Sequence, residues 1–242
     1  RVSNTQVTGT PRKIFDFVTL DSQNLLFIGT EQKVFLENAG TFNDITPIRS
    51  TVTLGSNPVN TTGGAGSGVV TITTQASHAA STGDFVTLAS LTATDGITAE
   101  QLNTEHKIAS VPSTTTFTID TGGSASSGST AGGGSSGTAA FQIGVGLNST
   151  VLGAGWGAGT WGRFTWGSAA GSLSGQTLRL FFADNFGEDL LFNIADGSIF
   201  YWDATNGTST RAVALTSLTG ASDVPTVARK VLVSDVDRHV IV

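Results

Sequence analysis

Methionine and cysteine are both missing from this 242-residue sequence. Without cysteine there is neither a disulfide framework nor a thiolate site, which fits a protein made in a reducing cytoplasm and sets small secreted scaffolds aside. Without methionine, Arg1 is no translation start. Arg1-Val2-Ser3-Asn4 reads as neither a signal peptide nor a membrane segment, so the chain is expected to be a fragment or a processed piece. Charge is also scarce, with 12 % of residues ionic and a net charge of −6. The 12 basic residues are scattered, which argues against a stable grip on nucleic acid, since phosphate neutralisation needs clustered Lys and Arg. DNA would pass such a surface without adhering. No apolar run reaches the ~18 residues of a bilayer-spanning helix, so no membrane insertion is expected of this segment.

What is abundant is Gly, at 31 residues, together with Thr and Ser, a composition that disfavours helix and suits strands and turns. The expected fold class is all-β. An internal repeat supports this. Leu25-Leu26-Phe27 is followed, six residues later, by Val34-Phe35; Leu190-Leu191-Phe192 is followed, six residues later, by Ile199-Phe200. The second interval holds Ala195-Asp196-Gly197, and Asp-Gly suits a tight antiparallel turn; the first holds Gly29-Thr30-Glu31-Gln32. Both copies read as β-hairpins. An apolar run and an acidic turn precede each: Ile14-Phe15-Asp16-Phe17 before Asp21-Ser22-Gln23-Asn24, and residues 178–182 before Asp184-Asn185-Phe186-Gly187. A third copy opens at Lys230-Val231-Leu232-Val233, turns over residues 234–237 and resumes at Val240-Ile241-Val242.

The step from Leu190 to Val240 is 50 residues, close to the roughly 40 to 50 of a four-stranded propeller blade. The step from Leu25 to Leu190 is 165. An insertion of roughly a hundred residues in one connection accounts for the excess. The expected organisation is a first propeller-type blade at 1–49, an inserted small β-barrel or sandwich at 50–147, and a Trp/Gly loop with a second blade and the start of a third at 148–242. Strands are expected near 69–73, 84–88, 107–111 and 115–119, with a helical turn or two at 97–102. Residues 61–68 and 121–140, rich in Gly, Ser and Thr, read as flexible loops or linkers.

Motifs that carry chemistry are few. Gly157-Ala158-Gly159-Thr160-Trp161-Gly162 spells a dinucleotide fingerprint but lacks the strand before it and the helix after it. Gly133-Gly134-Ser135-Ser136-Gly137 spells a nucleophile elbow inside a low-complexity tract. His78, His106 and His239 lack metal-ligand spacing and read as surface or turn residues. Asp184, Glu188 and Asp189, and again Asp235 and Asp237, cluster in turns without the pattern of a calcium loop. Solvated turn acids are the plainer reading of both. A pair of carboxylates such as Asp184 or Asp189 is also what a glycosidase needs, at a separation sequence does not supply. No cofactor, no metal and no catalytic residue is expected. The unusual element is a run of three tryptophans, Trp156, Trp161 and Trp166, five residues apart, with Arg163 among them. Either these rings form a sugar-binding or subunit-contact surface, or they cover the core where the insertion meets the repeat.

Two stretches carry a family resemblance. Ser81-Thr82-Gly83-Asp84-Phe85-Val86-Thr87-Leu88, then Gly96-Ile97-Thr98-Ala99-Glu100-Gln101-Leu102-Asn103 and residues 114–119, resemble a small β-barrel module common in structural proteins of tailed phages. The Gly/Trp loop followed by Asn185-Phe186-Gly187-Glu188-Asp189-Leu190-Leu191 and Ile199-Phe200-Tyr201-Trp202-Asp203 is similar to phage tail proteins that carry a propeller. Together they span about residue 13 to the end. The resemblance implies the tail nozzle family of short-tailed phages, also called tail tubular protein B. These proteins form a homohexameric ring below the adaptor and close the DNA channel until ejection. They are much longer than this chain, and two and a half units do not close a ring, so the resemblance implies a portion of one. It further implies a virion protein assembled in the bacterial cytoplasm, contacting the adaptor and other tail proteins, with genomic DNA passing through. A receptor- or glycan-binding tail module is the alternative.

Overall fold

The computed structural model describes residues 6–144, 180–234, 236–237 and 239–242, and β-strands dominate them. The chain is all-β. It divides into two compact units, Pro47–Gly144 and a second made from the segments on either side.

In the flanking unit, β1 (Pro11–Val18), β2 (Asn24–Thr30), β3 (Val34–Asn38) and β4 (Thr41–Asp44) form a four-stranded antiparallel sheet in sequence order. Ala39 and Gly40, both at positive φ, make the two-residue turn between β3 and β4, the geometry that matches strand twist.

The Pro47–Gly144 unit holds β5 (Ile48–Asn60), β6 (Val69–Thr74), β7 (Phe85–Ala89), helix α1 (Ala99–Leu102), β8 (Glu105–Ser113), β9 (Thr116–Asp120), β10 (Ala131–Gly132) and β11 (Thr138–Gln142). Strands run in the order β5-β11-β7-β8-β9-β6, and β6 returns to β5, closing a six-stranded barrel. Period-2 alternation explains it: Val70 and Ile72, Val86 and Leu88, Phe117 and Ile119, and Ala139 and Phe141 all point inward, while the intervening Thr71, Thr87, Thr118 and Ala140 face the other way and are less buried. β5 pairs with β11, β10 and β6, and its register against β6 shifts between Leu54 and Val59, where Asn57 takes φ 50°. Thr98 caps α1 by accepting from the Gln101 N–H while Gln101 reaches back to the Thr98 N–H, a full capping box that seats Leu102 in the core.

Residues 121–140, expected as a linker, are part of the barrel wall. β10 pairs with β5, β11 begins at Thr138, and Ala125 is buried in the core. The glycines there permit close approach: a Cβ on Gly133 would lie 2.6 Å from Val59 Cγ2, and one on Gly137 2.6 Å from Leu91 Cδ2. In residues 61–68, Thr61 is likewise fully buried and donates its hydroxyl to Asp95.

Back in the flanking unit, β12 (Phe181–Phe186), β13 (Asp189–Ile194), β14 (Ile199–Trp202) and β15 (Val213–Ala214) make a second four-stranded antiparallel sheet in sequence order. β16 (Leu232–Val233) and β17 (Val240–Ile241) form a two-stranded one. The expected turn at Asp184-Asn185-Phe186-Gly187 is displaced. β12 runs through Phe186, and the turn is Gly187-Glu188, since Gly187 accepts φ +71° without a Cβ penalty. The repeated apolar spacing gives hairpins of slightly different register: Phe27 faces Leu36 in one, whereas Phe192 faces Phe200 in the other.

These sheets stack. Phe27 meets the rings of Phe181 and Phe192, at centroid distances of 6.2 and 5.2 Å, and Phe17 meets Trp202 at 6.3 Å. The other face of the second sheet, carrying Leu191, Ile199 and Tyr201, packs on Ala228, Val231, Val233 and Val240.

Candidate functional site

The expected contact residues Trp156, Trp161, Arg163 and Trp166 lie outside the described residues. The fourth tryptophan, Trp202, is buried between the two large sheets, and its indole N–H donates to the Thr210 carbonyl at 3.1 Å.

The acids of the second sheet are placed by strand alternation on one face. Both oxygens of Asp184 accept backbone N–H donors, from Asn185 at 3.0 Å and from Val233 at 2.8 Å, so this carboxylate ties β12 to β16. Asp189 accepts the Tyr201 hydroxyl on one oxygen and the Ala204 N–H, at 2.9 Å, on the other. Burial, then the bond to Asp189 and the charges of Asp189, Asp203 and Glu188, push the Tyr201 phenol far above its usual range. Glu188 accepts from the Leu20 N–H at 3.3 Å, joining the turns of the two sheets. Asp184 and Glu188 link neighbouring sheets and Asp189 ties β13 to the end of β14, so these acids are hydrogen-bonded rather than standing free in solvent, and among the described residues no cluster of three or more potential metal ligands exists.

Asp44 is the most heavily engaged ionic residue that the sequence did not single out. Lys33 Nζ lies 2.8 Å from its Oδ2, and the Arg211 guanidinium spans both oxygens at 3.2 Å. Arg211 also donates to the Thr46 carbonyl at 2.7 Å, and the Thr46 N–H donates to Asp44 Oδ1 at 2.9 Å. One carboxylate thus bridges β4 and the connection from β14 to β15. Burial alone would raise its pKa; hydrogen bonds from Lys33 and Thr46 and the charges of Lys33 and Arg211 outweigh that and hold it below the ordinary range. The signal in sequence is absent, because Asp44 and Arg211 are 167 residues apart.

Two histidines read as surface residues are buried. His78 is 1 % exposed, stacked on Phe141 with Phe117 at its edge, and its Nδ1 accepts from the Ala80 N–H at 3.0 Å. His106 lies 3.1 Å from the Leu102 carbonyl through Nε2. An imidazole with one ring nitrogen satisfied packs as an aromatic in a small barrel, which patterning alone does not distinguish from a turn residue. His239 is exposed as expected. The Gly133-Gly137 tract leads into β11, so its serines sit in no strand–helix elbow.

The surface divides unevenly. Every large apolar side chain that is exposed among the described residues belongs to the flanking unit: Ile14, Val18, Leu20, Leu180, Val213, Val227, Leu232, Val236, Ile241 and Val242. The barrel has none.

No family model matches the chain, and no curated protein matches it. Among solved structures it is similar to the phage phi92 endosialidase, at 14 % identity and a TM-score of 0.30, over 82 % of this chain. The match spans 29 % of that protein's length. Likeness at that level assigns neither fold nor activity.

Proposed function

We propose that this chain is a structural component of a bacteriophage tail, a nozzle-type protein forming part of the DNA-ejection channel. The observation that carries it is the stack: two four-stranded antiparallel meanders and a third, two-stranded sheet, each packed on the next through apolar faces, with the exposed large apolar side chains among the described residues all on this flanking unit. Four-stranded sheets packed radially are the blades of a propeller, and the chain's repeat recurs at blade spacing. A finished barrel with a threonine-rich exterior suits an appended module, while the sheet unit has surface to bury in an assembly.

In this role subunits join into a ring, a hexamer by resemblance, in contact with the adaptor and other tail proteins in the virion. Genomic DNA passes without specific binding, since the net charge of −6 offers no cluster of cations to hold phosphates. A mechanical gate operated by subunit contacts is the corresponding mechanism.

Cryo-electron microscopy of the native particle tests the reading. The expected result is a six-fold ring at a tail tip, with further four-stranded sheets continuing the stack as propeller blades. An isolated monomer that binds host-surface glycan with a shift in tryptophan fluorescence would replace it with the receptor-binding module. Turnover of such a glycan, abolished by Asp184→Asn or Asp189→Asn, would make it an enzyme.

A further inference from the structure

Three steps in the sequence join an acidic or amide side chain directly to glycine: Asp95-Gly96, Asp196-Gly197 and Asn206-Gly207. At such a step the main chain can attack itself, because glycine has no Cβ to keep its nitrogen from the preceding side-chain carbonyl carbon. The fold treats the three differently. Asp95 is pinned, its Oδ2 accepting the Thr61 hydroxyl at 2.8 Å and its Oδ1 the Ser127 N–H and hydroxyl at 3.0 and 2.9 Å. Asp196 is held by Arg229, whose Nη1 lies 3.0 Å from both carboxylate oxygens. Both are carboxylates, poorer electrophiles than an amide.

Asn206 is the amide of the three, and among the described residues nothing hydrogen-bonds to its side chain. It is exposed, as is Gly207. It ends a single 3-10 turn, Ala204–Asn206, closed by the Asn206 N–H on the Asp203 carbonyl at 3.3 Å and the Gly207 N–H on the Ala204 carbonyl at 3.1 Å. A lone exposed turn on two such bonds opens locally at small cost, and opening frees the Gly207 nitrogen. Gly207 stands at φ +81°, with no atom within 4 Å of the place a Cβ would take.

We propose that Asn206 is a site of spontaneous deamidation, and that the isoaspartate formed there loosens the join between the two large sheets. The Gly207 nitrogen gives its proton to a solvent base and bonds to Asn206 Cγ; the Cγ–Nδ2 bond breaks, and that nitrogen leaves with a proton as ammonia. Water then opens the cyclic imide. Addition at Cγ breaks the new N–Cγ bond and leaves aspartate. Addition at the main-chain carbonyl carbon breaks the original peptide bond and leaves isoaspartate, whose main chain runs through Cβ and Cγ and whose former carbonyl is a pendant carboxylate. That carbonyl is the acceptor of the Thr210 hydroxyl at 2.7 Å. The residues that follow fasten the second sheet: the Thr210 carbonyl holds the Trp202 indole N–H at 3.1 Å, Arg211 spans Asp44, and the Ala212 N–H donates to the Ile45 carbonyl at 3.0 Å. Asn206 thus sits at the root of the segment that ties the second sheet to the first. The site stands on this loop's chemistry, independent of the phage-tail reading.

Ageing the whole folded chain at neutral and at mildly alkaline pH, followed by digestion and mass spectrometry with fragmentation that separates aspartate from isoaspartate, tests it. Residue 206 is expected to convert, faster at the higher pH and mainly to isoaspartate. The aged chain should lose about 3–5 °C in the Tm of the sheet unit, the worth of a hydrogen bond or so, with the barrel's transition unmoved. Asn206→Gln, whose longer side chain closes such a ring far more slowly, should keep both its mass and its Tm. The proposal is overturned if Asn206 stays an amide while a synthetic peptide copying residues 200–211 converts beside it. Conversion without a fall in Tm, or an equal fall in aged Asn206→Gln, overturns it too.

Discussion

Replacing Asp44 by asparagine keeps the side chain's size and its acceptor for the Thr46 N–H but removes the charge on which Lys33 and Arg211 converge. Lys33 is 7 % exposed at its side chain and Asp44 22 %, so water screens the cluster only in part. Charge-assisted hydrogen bonds contribute about 1.5–3 kcal/mol each, and breaking a buried pair costs about 3–5 kcal/mol. Allowing for partial exposure and for what asparagine retains, Asp44→Asn should cost about 2–3 kcal/mol. In a unit of about 140 residues that corresponds to a fall of about 5–10 °C in Tm. The effect has a pH signature. The folded pKa of Asp44 lies below its ordinary value of 3.8, so the carboxylate's contribution is fully present above that value and is lost as pH falls through the folded pKa. Calorimetry of wild type and variant should therefore show a full gap near neutrality that narrows below about pH 4. The barrel's transition serves as an internal control, because Asp44 belongs to the other unit. An equal gap at pH 3 and pH 7, or no gap at all, would refute the electrostatic account.

Other consequences are equally direct. Phe181→Ala removes the ring that meets Phe27 and crowds Gly29, and should destabilise the sheet unit by about 3–5 kcal/mol in urea unfolding. Gly29→Ala tests the same contact from the other side: its Cβ would lie 2.6 Å from Phe181 Cδ2, and overpacking should cost about 1–3 kcal/mol. Tyr201 is the sole tyrosine, so absorbance at high pH reports it alone. Because its folded pKa is raised, the stabilisation it lends is present below pH ~10 and lost above; tyrosinate should form only together with unfolding, whereas Asp189→Asn should let it form earlier. The Pro47–Gly144 barrel, whose ends meet through the 3.0 Å bond from Ile143 N–H to the Pro47 carbonyl, should fold alone with a cooperative transition.

The hairpins were legible because their evidence is local. Apolar doublets flank Asp196-Gly197, and Asp196 does take φ 60° at that turn; the capping pair Thr98 and Gln101 sits three residues apart in α1. β6, β7 and β9 advertise themselves by alternating threonine with Val, Ile, Leu or Phe. β5 and β11 do not. β5 is interrupted by Gly55-Ser56-Asn57-Pro58 and β11 opens on Thr138-Ala139-Ala140, residues whose strand conformation is imposed by barrel closure rather than by propensity. The glycine tract before β11 misled for the same reason: glycine signals flexibility in isolation and close packing when a neighbour presses on it, and only the fold brings Val59 and Leu91 against Gly133 and Gly137.

Acidic residues divide along the same line. A carboxylate in a turn reads as solvated because sequence shows its neighbours and not its donors. Asp184 and Asp44 find donors 49 and 167 residues away, at Val233 and Arg211, and each joins one element of the stack to the next, while Asp189 ties β13 to the end of β14 within one sheet. Their positions follow from alternation: Asp184 and Asp189 lie on the face of the second sheet that Leu191 and Tyr201 share, the face turned to β16. Polar cross-links of this kind fix which sheet follows which, while Phe17, Phe27, Phe181 and Phe192 bury their rings between the sheets. A stack specified in this way has defined interior steps.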